Sequence, residues 1–154
     1  MADAARLDQL GAVLVMAATL GLLAAWPGWR VGEVSERDAY VQPAEISIEA
    51  AEAFAATHGG EVVRPPPNSD VPVIARRFEF WPQLELQAGQ TYRLHVAAAD
   101  TVHTLVVNGR ELSLVPGEVR VVEVTPRHGE LPLQCGEYCG LGHNRMRQAV
   151  RVYE

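Results

Sequence analysis

The sequence contains no lysine and only two cysteines among its 154 residues. All 13 basic residues are therefore arginines, and 19 acidic residues outnumber them, which leaves a formal net charge of -6. An acidic chain lacks the basic face that nucleic-acid phosphates require, so nucleic acid is not expected as a partner. Two cysteines are also too few for a disulfide framework, and a single structural disulfide or a metal site remains open.

The two cysteines do not have the spacing of a thioredoxin-like redox pair. Three residues separate Cys135 from Cys139, whereas that motif has two and lies beside a βαβ pattern. The surrounding sequence instead indicates β structure.

The N-terminal part is apolar. From Leu10 to Trp26 no residue is charged, and about 17 apolar residues are at the short end of what crosses a bilayer as a helix. A basic leading region and a small-residue cleavage site, which a secretory signal would have, are missing. We therefore predict a single uncleaved transmembrane anchor in residues 1–30, with Trp26 and Trp29 at the membrane interface.

A linker with one short helix is predicted for residues 31–70. Apolar residues recur at helical spacing from Ile46 to Thr57, and Gly59 and Gly60 should end that helix. Consecutive prolines at positions 65–67 favour an extended conformation before the next domain.

Residues 71–154 have the pattern of an all-β domain. Short alternating segments rich in β-branched and aromatic residues are separated by glycine and proline turns. Several short strands at this spacing predict a Greek-key sandwich or barrel. The predicted strands are Val73–Phe80, Leu84–Gln87, Thr91–Ala98, His103–Val107, Val119–Val124 and Arg147–Tyr153.

One segment late in this domain has the side chains of a metal-binding loop. Cys135, Cys139, His143 and Met146 lie within a dozen residues, and thiolate, imidazole and thioether are the ligands that copper prefers. Glycines at positions 136, 140 and 142 allow the tight backbone that such a loop needs.

The number and kind of metal ions remain open at this point. One thiolate with two imidazoles would suit a mononuclear blue-copper site, and two cysteines with two histidines could hold structural zinc. If both thiolates bridge two copper ions, a second imidazole is required, for which His103 is the best candidate. Met146 and the carbonyl of Glu137 would then be weak axial ligands. The remaining histidines, His58, His95 and His128, are expected to be solvated.

The loop resembles the C-x-E-x-C-x-x-x-H-x-x-M signature of subunit II of haem-copper cytochrome c oxidases. Upstream, Asp100-Thr101-Val102-His103 resembles the D-V-x-H turn of that family, and Pro116-Gly117 its P-G turn. The aromatic segment Phe78–Pro82 lies where the family has an aromatic cluster near the copper. A single predicted helix resembles the short B-type form of the subunit.

The resemblance implies a cupredoxin domain with binuclear copper, called CuA, on the periplasmic side of the plasma membrane. It would accept electrons from cytochrome c and pass them to catalytic subunit I, which reduces dioxygen, without being catalytic itself. The implied site residues are the copper ligands His103, Cys135, Glu137, Cys139, His143 and Met146, with Trp81 or Phe80 where electrons enter.

Two alternatives to this function remain. A haem-copper nitric oxide reductase can carry a similar copper subunit, because the substrate is chosen in the catalytic subunit. A copper chaperone or storage protein is the other, but it would need exposed, exchangeable ligands.

Overall fold

The computed structural model describes residues 2–25 and 32–154, and the chain divides into two compact units, residues 1–30 and 31–154. In the first unit, helix α1 occupies Ala2–Ala25. Its side chains from residue 9 onward are exposed, including Leu14 at 70 %. Among the residues described, no helix has both the length and the apolarity needed to cross a membrane. The predicted aromatic belt at Trp26 and Trp29 lies outside the described residues.

Within residues 32–154, the described part of the second unit contains twelve strands, a short 3₁₀ helix and one α-helix, α2, at Ala44–His58. The strands are β1 Gly32–Glu36, β2 Tyr40–Val41, β3 Val62–Val63, β4 Asp70–Arg76, β5 Glu79–Trp81, β6 Gln83–Gln87, β7 Tyr92–Ala98, β8 His103–Val107, β9 Arg110–Leu114, β10 Glu118–Pro126, β11 Glu130–Cys135 and β12 Arg147–Tyr153.

Two mixed sheets enclose the hydrophobic core. One has the strand order β1-β10-β7-β4-β5, with β2 also paired to β10, and the other has the order β3-β6-β12-β11-β8-β9. Alternate residues of the strands point inward, as in β11, where Leu131, Leu133 and Cys135 are buried and the residues between them are exposed. This alternation confirms the mostly β fold expected from the sequence.

The structure corrects the strand assignment in two places. The single strand predicted from Val73 to Phe80 is wrong, because β4 and β5 form an antiparallel hairpin with Arg77 and Phe78 at its tip. Strands β9 and β11 were not predicted. Each is short, and Pro132 lies inside β11, which obscures the strand pattern in the sequence.

The region predicted as a linker contains regular structure. Helix α2 confirms the predicted short helix, and Gly59 ends it with a φ of 125°. Strands β1 and β2 pair with β10, and β3 pairs with β6. These residues therefore belong to the same compact unit as the rest of the β domain.

Candidate metal centre

Neighbouring strands bring the ligand residues together at one end of the second sheet. Strand β11 lies between β8 and β12. At its end, the Cys135 N–H donates to the Met146 carbonyl at 3.0 Å, and the Gly136 N–H donates to the Thr104 carbonyl at 2.9 Å. Residues far apart in the sequence, including His103 at the start of β8, thus meet at the end of β11.

The loop between β11 and β12 is stiffened by its own hydrogen bonds. A 3₁₀ turn spans His143–Arg145, and the His143 N–H donates to the Gly140 carbonyl at 3.0 Å. The Met146 N–H in turn donates to the His143 carbonyl at 3.0 Å. Gly140 has a φ of 134°, a conformation that favours glycine over any residue with a side chain.

The two cysteines are free and buried, and their sulfur atoms are 3.9 Å apart. The Sγ atom of Cys135 lies 3.7 Å from His103 Nδ1 and 3.1 Å from the Glu137 carbonyl oxygen. The Cys135 sulfur therefore has one imidazole nitrogen and one weaker ligand atom, a carbonyl oxygen, beside it.

The Sγ atom of Cys139 lies 3.8 Å from His143 Nδ1 and 3.6 Å from Met146 Sδ. The structure thus brings together all six residues that the sequence resemblance identified as ligands, and places the donor atoms of His103, Cys135 and Cys139 within 4.8 Å of one another.

These distances fit bound metal. A thiolate binds a metal such as zinc at about 2.3 Å and an imidazole at about 2.0 Å. Two sulfurs 3.9 Å apart can both reach one ion, and each imidazole nitrogen is also close enough to share an ion with its neighbouring sulfur. The soft donors, including the Met146 thioether, favour copper.

The surroundings of Cys139 disfavour the thiolate form of its side chain in the metal-free chain. Burial raises the pKa of the Cys139 thiol, and the neighbouring Cys135 sulfur raises it further. A bound metal cation reverses this effect, because it stabilises the thiolate form of its ligands. The convergence of two sulfurs, two imidazole nitrogens and a thioether fits a metal site that would stabilise this thiolate.

Asp100 fixes the orientation of the His103 ring. The His103 side chain is fully buried, and its Nε2 atom lies 2.8 Å from Asp100 Oδ1. An ionised carboxylate only accepts, so Nε2 carries the proton and Nδ1 faces Cys135 with a free lone pair. Burial alone would raise the pKa of Asp100, but hydrogen bonds from His103 and from the N–H groups of Arg77 and Thr101 hold it below its ordinary value.

The two aromatic residues predicted to receive electrons differ in exposure. Phe80 is fully buried in the core. Trp81 is half-buried, with the Arg76 guanidinium carbon 5.5 Å from the centre of its ring.

Phe78, which was not selected from the sequence, lies against the ligand loop. Its side chain is partly exposed, and its ring packs on Gly140 and Gly142 so closely that a Cβ atom on Gly142 would overlap it. Its position at a hairpin tip could not be inferred while β4 and β5 were read as one strand.

Two large side chains of the loop are open to solvent, beside the exposed polar residues Glu137, Asn144 and Arg145. Leu141 is 98 % exposed and Tyr138 is 67 % exposed, while the sulfur ligands beneath them are buried. His143 is half-buried, and its ring centre lies 6.1 Å from that of Tyr138. We call Phe78, Tyr138 and Leu141 the loop patch.

The prediction that the other histidines are solvated is correct only for His128, which is exposed. The His95 side chain is 23 % exposed and lies 2.8 Å from Asp70 Oδ1 and 3.0 Å from the Tyr40 hydroxyl. His58 stacks on a phenylalanine ring at a centroid distance of 4.1 Å. Both satisfy local hydrogen bonds away from the six clustered donors.

No protein-family profile matches the chain. Curated proteins named cytochrome c oxidase subunit 2 do match it. One from Thermus thermophilus is 35 % identical over 98 residues, which cover 60 % of this chain and 73 % of that protein. A second protein from the same species is also 35 % identical and is covered over 58 % of its length. A probable subunit 2 from Streptomyces coelicolor is 34 % identical over 74 residues, 23 % of its length.

Solved structures share the fold. A chain of a haem-copper terminal oxidase dimer matches with a TM-score of 0.54 at 17 % identity, covering 99 % of this chain and 100 % of that one. The copper protein rusticyanin matches with a TM-score of 0.53 at 14 % identity, covering 75 % of this chain and 98 % of its own. These likenesses identify the β domain as cupredoxin-like.

Proposed function

The chain belongs to the cytochrome c oxidase subunit 2 family, and from that premise we propose that it carries a binuclear copper centre, CuA, which takes electrons from cytochrome c and passes them to the haem of catalytic subunit I. The main support for this proposal is the geometry of Cys135 and Cys139. Their sulfur atoms are buried, not joined in a disulfide and 3.9 Å apart, and each has an imidazole nitrogen within 3.8 Å. The chain itself is the non-catalytic part of the oxidase.

This donor set supports two copper ions better than the other metal sites. A mononuclear copper site would leave one buried thiolate without a metal, and a structural zinc site with two cysteines and two histidines would give Met146 no role. The thioether and the Glu137 carbonyl lie next to different sulfurs, so each half of the site has a weak donor of its own.

When bound, copper supplies a redox couple that gains and loses one electron. The protein's part is to hold the six donors still in both oxidation states. Three features hold these donors. The hydrogen bonds at the end of β11 and the 3₁₀ turn fix the backbone of ligand residues, and the Asp100 carboxylate fixes the ring of His103. A rigid ligand cage keeps structural change on electron transfer small.

A copper chaperone or storage protein fits this arrangement less well. Such a protein needs accessible ligands for exchange, whereas His103, Cys135 and Met146 are at most 2 % exposed. Release of copper would require the loop to open against its hydrogen bonds.

The cellular arrangement is part of the same proposal. The apolar side chains of α1 are exposed, as Leu14 illustrates, and exposed apolar surface of this kind is typical of contact with lipid or another protein. We propose that the N-terminal unit, residues 1–30, attaches the chain to the plasma membrane and that the second unit, residues 31–154, which contains the copper centre, lies on the periplasmic side.

The direct test is metal analysis of the full chain after loading with copper. We expect two copper ions per chain and an electron paramagnetic resonance spectrum of one unpaired electron shared by two copper nuclei. One copper per chain with a single-nucleus spectrum would indicate a blue-copper site, and uptake of zinc in preference to copper would indicate a structural site. Either result would contradict the proposal.

The loop patch is the surface on which cytochrome c would dock, since it is apolar and covers the ligand loop. Phe78, which packs on two glycines of that loop, is the residue we assign to the electron path. Trp81 and Phe80 are retained in the proposed path beside Phe78, because Phe80 lies in the buried cluster that contains both cysteines and Trp81 packs against that cluster.

Replacement of Leu141 with glutamate should slow electron uptake from cytochrome c by about tenfold or more, as expected for a central residue of an interface. The copper spectrum should not change, because Leu141 is 98 % exposed and offers no ligand. Stopped-flow oxidation of reduced cytochrome c measures the rate.

The matched control is Val41→Glu, which places the same charge at an 85 % exposed position in β2, on the other sheet. Equal rates for the Leu141→Glu and Val41→Glu proteins would show that the donor docks elsewhere.

A further inference from the structure

The tip of the β4–β5 hairpin contacts both regions of the chain that supply ligands. Arg77 and Phe78 form this tip, between the paired residues Arg76 and Glu79. One ligand region is the loop after β11, and the other is the turn before β8, which ends in His103. The hairpin belongs to the first sheet, whereas both ligand regions belong to the second.

The side chain of Arg77 holds the loop. Its Nε–H donates to the carbonyl oxygen of Cys139 at 2.7 Å. A charged donor at this distance makes one of the stronger hydrogen bonds in proteins. The carbonyl belongs to the same residue as one of the two buried sulfurs, so the contact restrains the backbone from which that thiol projects.

The backbone of Arg77 holds the other ligand region. Its N–H donates to Asp100 Oδ2 at 3.0 Å, and the other oxygen of that carboxylate lies 2.8 Å from His103 Nε2. One residue is therefore connected to Cys139 directly and to His103 through a single carboxylate. Such a connection fixes the separation of two ligands that are 36 positions apart in the chain.

We propose that Arg77 is a positioning residue that sets the distance between the Cys139 and His103 sides of the metal centre. Its importance for copper rests on the proposed function, but its effect on the loop is a property of the metal-free chain. Without the guanidinium, the loop keeps its internal turn and its contact with the Phe78 ring, and loses the hydrogen bond that joins the Cys139 carbonyl to the first sheet.

Three variants separate the guanidinium from other effects. Arg77→Met removes the donor and keeps most of the side-chain length, and the main-chain N–H to Asp100 remains. Arg77→Lys restores one charged donor without the fixed geometry of the guanidinium. Arg110→Met serves as the control. It removes an exposed arginine at the turn of the β8–β9 hairpin, which is the end of that hairpin away from His103.

The first measurement is the rate at which the buried thiols of the full, metal-free chain react with an aromatic disulfide reagent. Loss of a hydrogen bond from a charged donor should raise this rate by about tenfold in Arg77→Met. Arg77→Lys should lie between Arg77→Met and the wild type, and Arg110→Met should match the wild type. The urea dependence of the thiol reaction shows whether the opening is local, since local opening exposes little surface and its rate changes little with low concentrations of urea.

The second measurement is the spectrum and the reduction potential of the copper-loaded variants. Arg77→Met should bind the same amount of copper with altered hyperfine splittings and a shifted potential, and Arg77→Lys should recover part of both. A role in general stability alone would move the unfolding midpoint and leave the spectrum unchanged.

Thiol reactivity and copper spectra equal to those of Arg110→Met would overturn the proposal. If Arg77→Met does not fold, Arg77→Lys decides: wild-type reactivity and spectrum in that variant would contradict a role for guanidinium geometry, and an intermediate result would support it. Failure of the wild type to bind two copper ions would refute the proposed function but leave the metal-free thiol test valid.

Discussion

A chain in which Cys139 is replaced with serine should bind at most one copper ion, in contrast to the two expected for the wild type. The Cys139 sulfur lies within 3.9 Å of the Cys135 sulfur, of His143 Nδ1 and of Met146 Sδ. A serine hydroxyl is a hard, neutral donor that cannot replace a bridging thiolate. Metal analysis and electron paramagnetic resonance would show the loss of the spectrum of two coupled copper nuclei.

Met146→Leu is the matched control for this substitution. Leucine has nearly the same volume as methionine, and Met146 is 1 % exposed, so the loop should keep its packing. Because the thioether is a weak ligand, this variant should retain two copper ions and differ mainly in reduction potential. An unchanged copper spectrum in Cys139→Ser would contradict the assignment of the ligands.

Replacement of Gly142 with valine should destabilise the β domain by about 2 kcal/mol, a typical cost of inserting atoms into a packed site. The added Cβ atom would overlap the ring of Phe78. Either the ring or the ligand loop must move, and both outcomes disturb the metal centre. Urea unfolding measures the stability, and the copper spectrum reports on the loop.

A second substitution tests whether the overlap with the Phe78 ring causes this destabilisation. Phe78→Ala alone should cost stability through lost packing, but Phe78→Ala combined with Gly142→Val should recover much of the loss, because the ring that causes the overlap is gone. If the two effects simply add, the overlap is not the cause of the destabilisation.

Much of the site was accessible from the sequence because it is local. Cys135, Cys139, His143 and Met146 lie on one short loop, and their donor types restrict the metal to a soft one. The choice of His103 depended on its position at the start of an apolar strand and on the resemblance to the oxidase family. The structure places its Nδ1 atom 3.7 Å from Cys135 Sγ.

The contact between Phe78 and the ligand loop illustrates what could not be predicted. A pattern of alternating residues does not reveal a two-residue hairpin turn when the residues on either side also suit a strand. A single strand over Val73–Phe80 has no exposed tip at Phe78. Pairing of Arg76 with Glu79 turns the chain back and leaves Phe78 over the loop.

Local order and chemistry were set by the sequence alone: the kinds of donor atom, the turns with glycine and proline, helix α2 and the alternation of buried and exposed residues in the strands. These depend on the properties of neighbouring residues, which are visible in a linear chain. Tertiary structure alone decided that the hairpin tip of the first sheet meets the ligand loop and Asp100 of the second. Contacts between residues distant in sequence depend on strand order and register, and those follow from the packing of the whole core.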